Sequence, residues 1–146
     1  MKKKLQLEFY PLATDTQPSV PMANVEVHAG FPSPVDDAYM SQPIDLNKEL
    51  IKHPASSYLV KVVGDSMINE GVEEGDMLIV DRSLLPTARN LTVIMYVGEF
   101  ALKRIEQKDG KVYLMPGNPK YKPIEVTNTD ELRIFGVVTW VMKKKV

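Results

Sequence analysis

Short runs of apolar and β-branched residues, separated by turn residues, dominate the chain after residue 54. Tyr58–Val63 is such a run and ends at a glycine. Leu91–Val97 and Glu99–Ile105 lie on either side of Gly98 and predict a tight hairpin. Many short strands with turns between them indicate a mainly β fold, with antiparallel strands in a sandwich or a partly open barrel. Further strands are predicted at Asp76–Val80, Lys111–Met115, Ile124–Val126 and Leu132–Met142.

The first 43 residues differ, because they hold six of the chain's 11 prolines. Proline fixes φ and removes a backbone donor, so this stretch is predicted to be a flexible, extended N-terminal arm. Two short pieces of it are strand-like, Leu5–Tyr10 and Val25–His28. Asp45–His53 has apolar residues at helical spacing and stops before a proline, which predicts a short helix. We therefore divide the chain into an arm, residues 1–43, and a folded domain, residues 44–146.

Charge and composition exclude several classes of protein. A net charge of -1 gives the chain no overall field that attracts nucleic acid, so direct, sequence-specific DNA binding is not expected. The lysine runs Lys2–Lys4 and Lys143–Lys145 are interpreted as solvated termini. The chain has no cysteine, which excludes disulfides and thiolate chemistry. Since it also lacks a long apolar run and a secretory signal, we expect a soluble, cytoplasmic protein without a membrane partner.

No motif for a metal or a cofactor is present in the sequence. His28 and His53 stand far apart and lack the spacing of a metal-binding pair. No glycine-rich phosphate-binding loop occurs either, so we expect neither a metal nor a cofactor. A Ser–His–Asp triad remains open, because triads assemble from residues that are distant in the sequence.

A candidate nucleophile is Ser66, within Gly64–Met67. This stretch follows a predicted strand, and a glycine at a strand end lets the chain turn sharply. A serine at such a turn can present its hydroxyl group as a nucleophile. Taken alone the motif is weak, since Gly-x-Ser most often forms an ordinary turn.

A nucleophilic serine needs a base, and the candidate here is Lys103. Strand alternation puts Ala101, Lys103 and Ile105 on one face of the hairpin, which is compatible with burial of the lysine. A free lysine has a pKa of about 10.4 and is protonated near neutral pH. Lowering that pKa by roughly 3 units through burial corresponds to about 4 kcal/mol. Periodicity alone does not separate a buried base from an ordinary solvated lysine.

Three stretches resemble the LexA/UmuD family of self-cleaving serine peptidases. Gly64–Met67 with the following strand is similar to the family's nucleophile region, and Glu99–Arg104 is similar to the stretch with its catalytic lysine. Ala29–Pro34 resembles the family's cleavage site. The resemblance covers about residues 29–142 and implies the LexA/signal-peptidase-like fold. The stretches that point to the UmuD-like branch of the family are Ile44–Asn47, His53–Pro54 and Phe135–Val138.

The resemblance implies an autoproteolytic serine endopeptidase of the SOS response. Ser66 would be the nucleophile, Lys103 the general base, and the cut bond would join Ala29 to Gly30 in the chain's own arm. It further implies a homodimer and a RecA filament on single-stranded DNA as the activator of cleavage. The processed form would then serve as the accessory subunit of a UmuC-type translesion DNA polymerase.

Length separates the branches of this family, because the residues before Ala29 are too few for a repressor's helix-turn-helix domain. A truncated LexA-type regulator, a non-catalytic polymerase-binding module and a signal-peptidase-like enzyme remain as alternatives. The chain departs from the family's pattern at Arg89–Asn90, where Gly-Asp is usual. It also departs at the hairpin turn Val97–Gly98, where Asp-Gly is usual. These departures concern the geometry of the hairpin more than the chemistry.

Overall fold

The computed structural model describes residues 6–13, 19–23, 40–63, 71–116 and 122–146. The chain divides into two compact units, residues 13–52 and residues 1–12 together with 53–146. The elements in chain order are β1 (Gln6–Pro11), β2 (Ser19–Ala23), β3 (Met40–Asp45), α1 (Leu46–Leu50), β4 (Ser57–Val63), β5 (Met77–Asp81), β6 (Thr92–Tyr96), β7 (Glu99–Lys108), β8 (Lys111–Met115), β9 (Ile124–Val126) and β10 (Leu132–Met142). Short 3₁₀ helices lie at Pro54–Ser56 and Thr129–Glu131.

The larger unit is one sheet of eight strands in the order β1-β4-β5-β10-β6-β7-β8-β9. Every neighbouring pair is antiparallel. The predicted mainly β, antiparallel fold is confirmed, and the bounds of β8, β9 and β10 are those expected from the sequence. β7 is longer than predicted, because Glu106, Gln107 and Lys108 continue to pair with β8 up to the turn.

Ring contacts show that this sheet curls strongly. β1 and β7 stand five positions apart in the sheet, which would separate them by about 24 Å if the sheet were flat. Yet the ring centroids of Phe9 on β1 and Phe100 on β7 are only 5.0 Å apart. Phe135 on β10 completes the group, 5.7 Å from Phe9 and 5.1 Å from Phe100. The eight strands of the larger unit therefore form a partly open barrel, whose ladder ends at β1 and β9.

Two hydrophobic clusters fill the larger unit. The first lies inside the curl of the sheet and consists of Val60, Val62, Val72, Leu78, Val80, Val93 and Leu102. The second is smaller and consists of Ile94, Leu114 and Val126. Each cluster takes alternate residues of the strands, as a pleated sheet with two covered faces requires.

The central strand β10 needs a glycine where it crosses β5. A Cβ on Gly136 would lie 2.7 Å from Val80 Cγ1 and 2.9 Å from the Asp81 carbonyl oxygen. Only a residue without a side chain permits this approach of the two backbones. The register of β10 against β6 also shifts between Ile134 and Gly136, which marks a β-bulge at this crossing.

The smaller unit contains a two-stranded ladder that the sequence did not predict. β2 pairs antiparallel with β3, and Pro21 stands opposite Pro43. The prolines had argued against regular structure, but each strand of a two-stranded ladder has a free edge where a missing N–H is tolerated. The predicted helix within Asp45–His53 is confirmed but shorter. Asp45 caps it by accepting the Asn47 N–H at 3.0 Å, and the backbone is already extended at Ile51.

The predicted strand Leu5–Tyr10 corresponds to β1, whereas Val25–His28 lies outside the described residues. The division into a flexible arm, residues 1–43, and a peptidase and dimerisation domain, residues 44–146, stays a prediction. One part of the arm nevertheless has a defined place, because β1 pairs with β4 along six residues.

Candidate active site

The segment with Ser66 has two well-defined ends. Ser66 itself lies with residues 64–70 outside the described ranges. Before this segment, the Val62 N–H donates to the Asp76 carbonyl oxygen at 2.9 Å. After it, the Gly75 N–H donates to the Val62 carbonyl oxygen at 2.8 Å. The chain thus leaves β4 and returns beside it, so the described residues before and after the segment with the predicted nucleophile are hydrogen-bonded to each other.

A compact turn anchors the returning end of this loop, which we call the Ser66 loop (residues 64–70). Gly71 and Gly75 have φ of 77° and 90°, in the left-handed region that favours glycine. Val72 between them is fully buried in the first cluster. Asp76 is also buried, and its carboxylate accepts the Glu73 N–H at 2.8 Å and pairs with Lys143. An apolar contact, an ion pair and a backbone-to-carboxylate hydrogen bond therefore hold the turn.

Lys103 lies in the middle of β7, directly opposite the fully buried Thr92 of β6. Ala101 and Ile105, two positions away on either side, pack against the second cluster, while Leu102 belongs to the first. The predicted face of Ala101, Lys103 and Ile105 is confirmed. Lys103 is half-buried, and no carboxylate of the described residues forms an ion pair with it. The position differs from that of a fully solvated strand lysine.

A row of cross-strand partners leads from Lys103 across the sheet. Thr92 pairs with Lys103 on one side and with Val137 on the other, and Val137 and Ser57 both pair with Asp81. Partners in such a row point to the same face. Apart from Lys103, every member is at most 5% exposed, although three of the four are polar. Lys103 is therefore the one partly exposed residue at the end of this row, whose other members are buried and mostly polar.

Asp81, at the end of β5, is the centre of a hydrogen-bond cluster. His53 Nδ1 lies 2.5 Å from one carboxylate oxygen. The other oxygen accepts the Ser83 hydroxyl at 2.6 Å, the Ser83 N–H at 2.8 Å and the Ser56 hydroxyl at 3.2 Å. Burial raises the pKa of Asp81, but the bonds from Ser83, His53 and Ser56 outweigh it and hold the pKa below its ordinary value of 3.8. The buried carboxylate is thus fully satisfied as an anion.

Sequence reasoning missed this cluster, because it considered His53 only as one of a possible metal-binding pair or triad. The imidazole is half exposed, with 51% of its side chain accessible, but it is fixed by Asp81, which lies 28 positions away in the sequence. No local signal marks such a pair. The nearby Ser57 hydroxyl donates to the His53 carbonyl oxygen at 2.7 Å, not to the ring. Since no described serine hydroxyl reaches His53 Nε2, the described residues contain no Ser–His–Asp triad.

The hairpin that carries Lys103 has the same two-residue turn geometry as the Asp109–Gly110 turn of this chain, despite its different residues. Val97 has φ of 50° and Gly98 φ of 76°, as a two-residue type I′ turn requires. The next turn, Asp109–Gly110, has φ of 55° and 75°. Val97 is a β-branched residue in the left-handed region, which is strained. The departure noted in the sequence therefore changes the strain of the turn and leaves its form intact.

No candidate metal or cofactor site emerges from the part of the chain that the structure describes. Within it, no group of three or more His, Asp or Glu side chains is arranged to hold a metal ion. No described helix combines the length and the apolar character that crossing a bilayer demands. The described chemistry is therefore confined to Lys103 and its polar row, the Ser66 loop anchors and the Asp81 cluster.

Comparison with known proteins connects these elements to a family. A family model described as Peptidase S24-like matches residues 21–139. Protein SamA of Salmonella typhimurium strain LT2 is 36% identical over 134 residues, which are 92% of each chain. Protein MucA of Escherichia coli is 34% identical over 122 residues, 83% of this chain and 82% of MucA. LexA repressor 2 of Pseudomonas syringae pv. tomato is 34% identical over 88 residues, 60% of this chain and 44% of the repressor.

The matches confirm the resemblance inferred from the sequence. SamA and MucA are UmuD-like proteins, and each is matched over most of its own length. The family model spans both the arm and the sheet, from β2 to β10. The chain belongs to the S24-like peptidase family, and its relatives of similar length place it in the UmuD-like branch.

Proposed function

We propose that the chain is a self-cleaving serine peptidase in which Ser66 and Lys103 cut the bond between Ala29 and Gly30. Membership of the family and its UmuD-like relatives support a role as an SOS-response peptidase and mutagenesis accessory protein. The dyad and the cut bond are the finer part of the proposal. They rest on the motifs in the sequence and on the packing of the described residues next to those motifs.

The observation that carries the proposal is that the residues on either side of the Ser66 loop share one hydrophobic cluster with the strand that holds Lys103. Val62 and Val72 flank the loop, Leu102 precedes Lys103, and all three are buried in the first cluster. The described residues on both sides of the Ser66 loop and the strand with Lys103 are therefore held by one core. Lys103 leaves β7 on the face opposite to Leu102, so the proposal requires the Ser66 loop to reach that face.

The environment of Lys103 suits a base better than a structural ion pair. A carboxylate partner would stabilise the ammonium form and oppose proton acceptance. Among the described residues Lys103 has no such partner, and its neighbours Ala101, Ile105 and Thr92 provide none. No described carboxylate therefore competes with the serine hydroxyl for this amine.

The reaction follows from these roles. The neutral amine of Lys103 takes the proton of the Ser66 hydroxyl, and the serine oxygen attacks the carbonyl carbon of Ala29. Lys103 then returns the proton to the nitrogen of Gly30 as the C–N bond breaks. Water hydrolyses the resulting Ser66 ester, which frees the serine and leaves a new carboxyl group at Ala29. Backbone N–H groups at the Ser66 turn would hold the oxyanion.

The topology of the smaller unit supports a substrate in the chain's own arm. β2 ends at Ala23, β3 begins at Met40, and the two strands pair at Ala23 and Met40. Ala29 and Gly30 fall in the segment between them, outside the described residues. The two ends of this segment are held next to each other by the paired strands. Because the segment belongs to the same chain as the proposed dyad, its effective concentration as a substrate is high.

Intact mass after incubation at increasing pH tests the chemistry. Cleavage should accelerate towards pH 10 without any partner, because more of the lysine is then neutral. Ser66→Ala and Lys103→Ala should each abolish the fragment that begins at Gly30. Lys108→Ala, an exposed lysine of the same strand, is the matched control and should cut like the wild type. A fragment beginning at Gly30 from either dyad variant would refute the assignment.

A charge at the cut bond tests the identity of the substrate. Ala29→Asp should block cleavage, because it brings a carboxylate to a position that must enter a partly desolvated site. Glu26→Gln, a nearby change that removes a charge and leaves the bond intact, serves as the control. N-terminal sequencing of the wild-type product should begin at Gly30, and any other start contradicts the proposed bond.

We further propose that the protein forms a homodimer, is activated by a RecA filament on single-stranded DNA, and joins a UmuC-type polymerase once cut. The exposed apolar residues Ile134 and Trp140 on β10 offer a surface for a second copy. Gel filtration at micromolar concentration should give a dimer. Trp140 is the chain's single tryptophan, so its fluorescence should change on dilution if it lies at the interface.

The LexA-type regulator is the second candidate, and the comparison with LexA repressor 2 bears on it. The match covers 44% of that repressor, so this chain resembles part of the repressor only. Together with the net charge of -1, this favours weak duplex binding without sequence preference. Titration with labelled duplex at ~0.15 M salt should show that weak binding. Tight, sequence-selective binding would instead support the regulator.

A further inference from the structure

Among the strands that the structure describes, β1 is an edge strand and pairs with β4 alone. It pairs with β4 from Gln6 opposite Val63 to Pro11 opposite Tyr58. Because it lies at the end of the sheet, its departure breaks no other ladder. Pro11 lacks a backbone N–H, which edge strands tolerate. β1 is therefore an added strand on a sheet that is otherwise continuous from β4 to β9.

Side chains of β1 alternate between the core and the surface. Leu7 and Phe9 are half-buried and pack against the first cluster, whereas Glu8 and Tyr10 are exposed. Glu8 stands opposite Lys61 in the register, on the outer face. The strand therefore has the pattern apolar, acidic, aromatic, with the two apolar side chains directed to the core.

Phe9 occupies an aromatic socket, which consists of Phe100 and Phe135. Its ring centroid lies 5.0 Å from that of Phe100 and 5.7 Å from that of Phe135. A cavity of about 180 Å³ adjoins the ring and is also lined by Tyr58, Val80 and Arg82. Aromatic contacts at these distances contribute specific attraction beyond burial. The socket thus gives the strand a side-chain anchor in addition to its backbone ladder.

The proposed cut lies between β1 and its described partners in the larger unit, β4 and the socket. β1 precedes Ala29, while β4, the socket and the cavity all follow Gly30. β2 likewise precedes the cut and pairs with β3, which follows it. Hydrolysis of one peptide bond leaves these ladders and ring contacts in place. Cutting and departure of the arm are therefore separate events.

We propose that the edge of β4 and the aromatic socket form a peptide-binding site, whose occupant after the cut is the chain's own residues 6–11. The inference rests on the proposed cleavage at Ala29. The site recognises an extended peptide with an apolar, an acidic and an aromatic residue in succession, by backbone pairing and by the socket. The edge of β4, together with Phe100 and Phe135, opens to a partner only when this strand leaves.

Gel filtration of protein cut at alkaline pH tests retention of the fragment. At micromolar concentration, denaturing mass spectrometry of the protein peak should find residues 1–29 together with residues 30–146. Phe9→Ala should lose the fragment from the peak, with at least about tenfold faster dissociation, since the anchor is gone. Tyr10→Ala is the matched control, an aromatic residue of the same strand with an exposed side chain, and should retain it.

Displacement from wild-type protein removes any effect of the variants on folding. Excess synthetic peptide with the sequence of residues 1–12 should release the fragment. The same peptide with Phe9→Ala should need at least about tenfold more, and a scrambled peptide should release none. Loss of the fragment from wild-type protein during gel filtration overturns the proposal. Equal effects of Phe9→Ala and Tyr10→Ala, or release by the scrambled peptide, overturn it as well.

A second route to the cut separates this inference from the proposed catalysis. A Ser66→Ala protein with a thrombin recognition sequence inserted after Gly30 can be cut by thrombin and taken through the same measurements. If the wild type fails to cut itself but the thrombin-cut protein retains its fragment, the catalytic proposal fails and the peptide site stands. If both proteins are cut and neither retains the fragment, the peptide site fails alone.

Discussion

Two buried aspartates bracket β5 and are stabilised by different means. Asp76 precedes the first residue of the strand and is 5% exposed, and Asp81 ends it and is 3% exposed. Asp76 pairs with the ammonium group of Lys143, which is 38% exposed, and accepts one backbone N–H. Asp81 instead accepts four hydrogen bonds from three residues.

The contacts of Asp81 and those of Asp76 stabilise different parts of the molecule, the sheet and the proposed site. The partners of Asp81 join the entry of β4 to the exit of β5, so they secure the framework at one end of the sheet. The partners of Asp76 secure the turn through which the Ser66 loop returns. The Asp76 carboxylate depends on one partly exposed cation and one backbone N–H, whereas the Asp81 carboxylate shares its four hydrogen bonds among three residues. Loss of Asp81 should therefore affect stability most, and loss of Asp76 should affect cleavage most.

Asp81→Ala should have the largest effect on stability. It removes four hydrogen bonds and leaves partly buried donors of Ser56, Ser83 and His53 without their acceptor, which should cost about 3 kcal/mol of unfolding free energy. Urea denaturation followed by Trp140 fluorescence measures it. Asp81→Asn keeps one acceptor oxygen and should lose about half as much. An unchanged midpoint for Asp81→Ala would mean that the cluster does not stabilise the fold.

Asp76→Ala should destabilise less but slow self-cleavage more. Loss of the Glu73 N–H bond and of the Lys143 pair should cost about 1–2 kcal/mol, because Lys143 regains water. The freed turn would place Ser66 less well, and cleavage at alkaline pH should fall about tenfold. Asp81→Asn is the comparison, measured at a temperature where both variants are fully folded. Equal cleavage rates in the two variants would remove the proposed difference between the sites.

Acid should weaken the Asp81 site in a defined pH window. The pKa of Asp81 is lower in the folded protein than its ordinary value of 3.8, so the unfolded chain binds the proton more readily. The stabilisation is complete above about pH 4 and is lost as pH falls through the folded pKa. As pH falls through this window, the unfolding free energy of the wild type should therefore decrease more steeply than that of Asp81→Asn, by up to ~1.4 kcal/mol per pH unit. Parallel pH profiles would contradict the assignment.

Lys143→Ala should have the smallest effect of the series. Its ammonium group is partly exposed, and a pair of this kind contributes about 0.5–1 kcal/mol that salt screens further. The thermal midpoint should drop slightly at low ionic strength and match the wild type at high ionic strength. Lys144→Ala is the control, because Lys144 is an exposed neighbour and takes part in none of the ion pairs given for the described residues. A loss that exceeds that of Asp76→Ala would reverse the ranking.

Local sequence was a good guide wherever one strand pattern was enough to define an element. The runs that became β8, β9 and β10 were recognised to the residue, because each is bounded by turn residues and faces a packed cluster. The face of β7 with Lys103 was also recognised, since a strand alternates regardless of what covers it. β2 and β3 were missed, because their prolines were weighed without the free edges of a two-stranded ladder.

The sequence by itself determined the mainly β fold, the candidate residues Ser66, Lys103, Ala29 and Gly30, and the family to which they belong. These follow from local periodicity and from motifs in a set order along the chain. Only the tertiary structure decided that β1 lies on β4, that Phe9 meets Phe100, and that His53 meets Asp81. Such contacts join residues far apart in the sequence, and they depend on how the sheet curls. Since curl is a property of eight strands packed together, no single stretch of the sequence contains it.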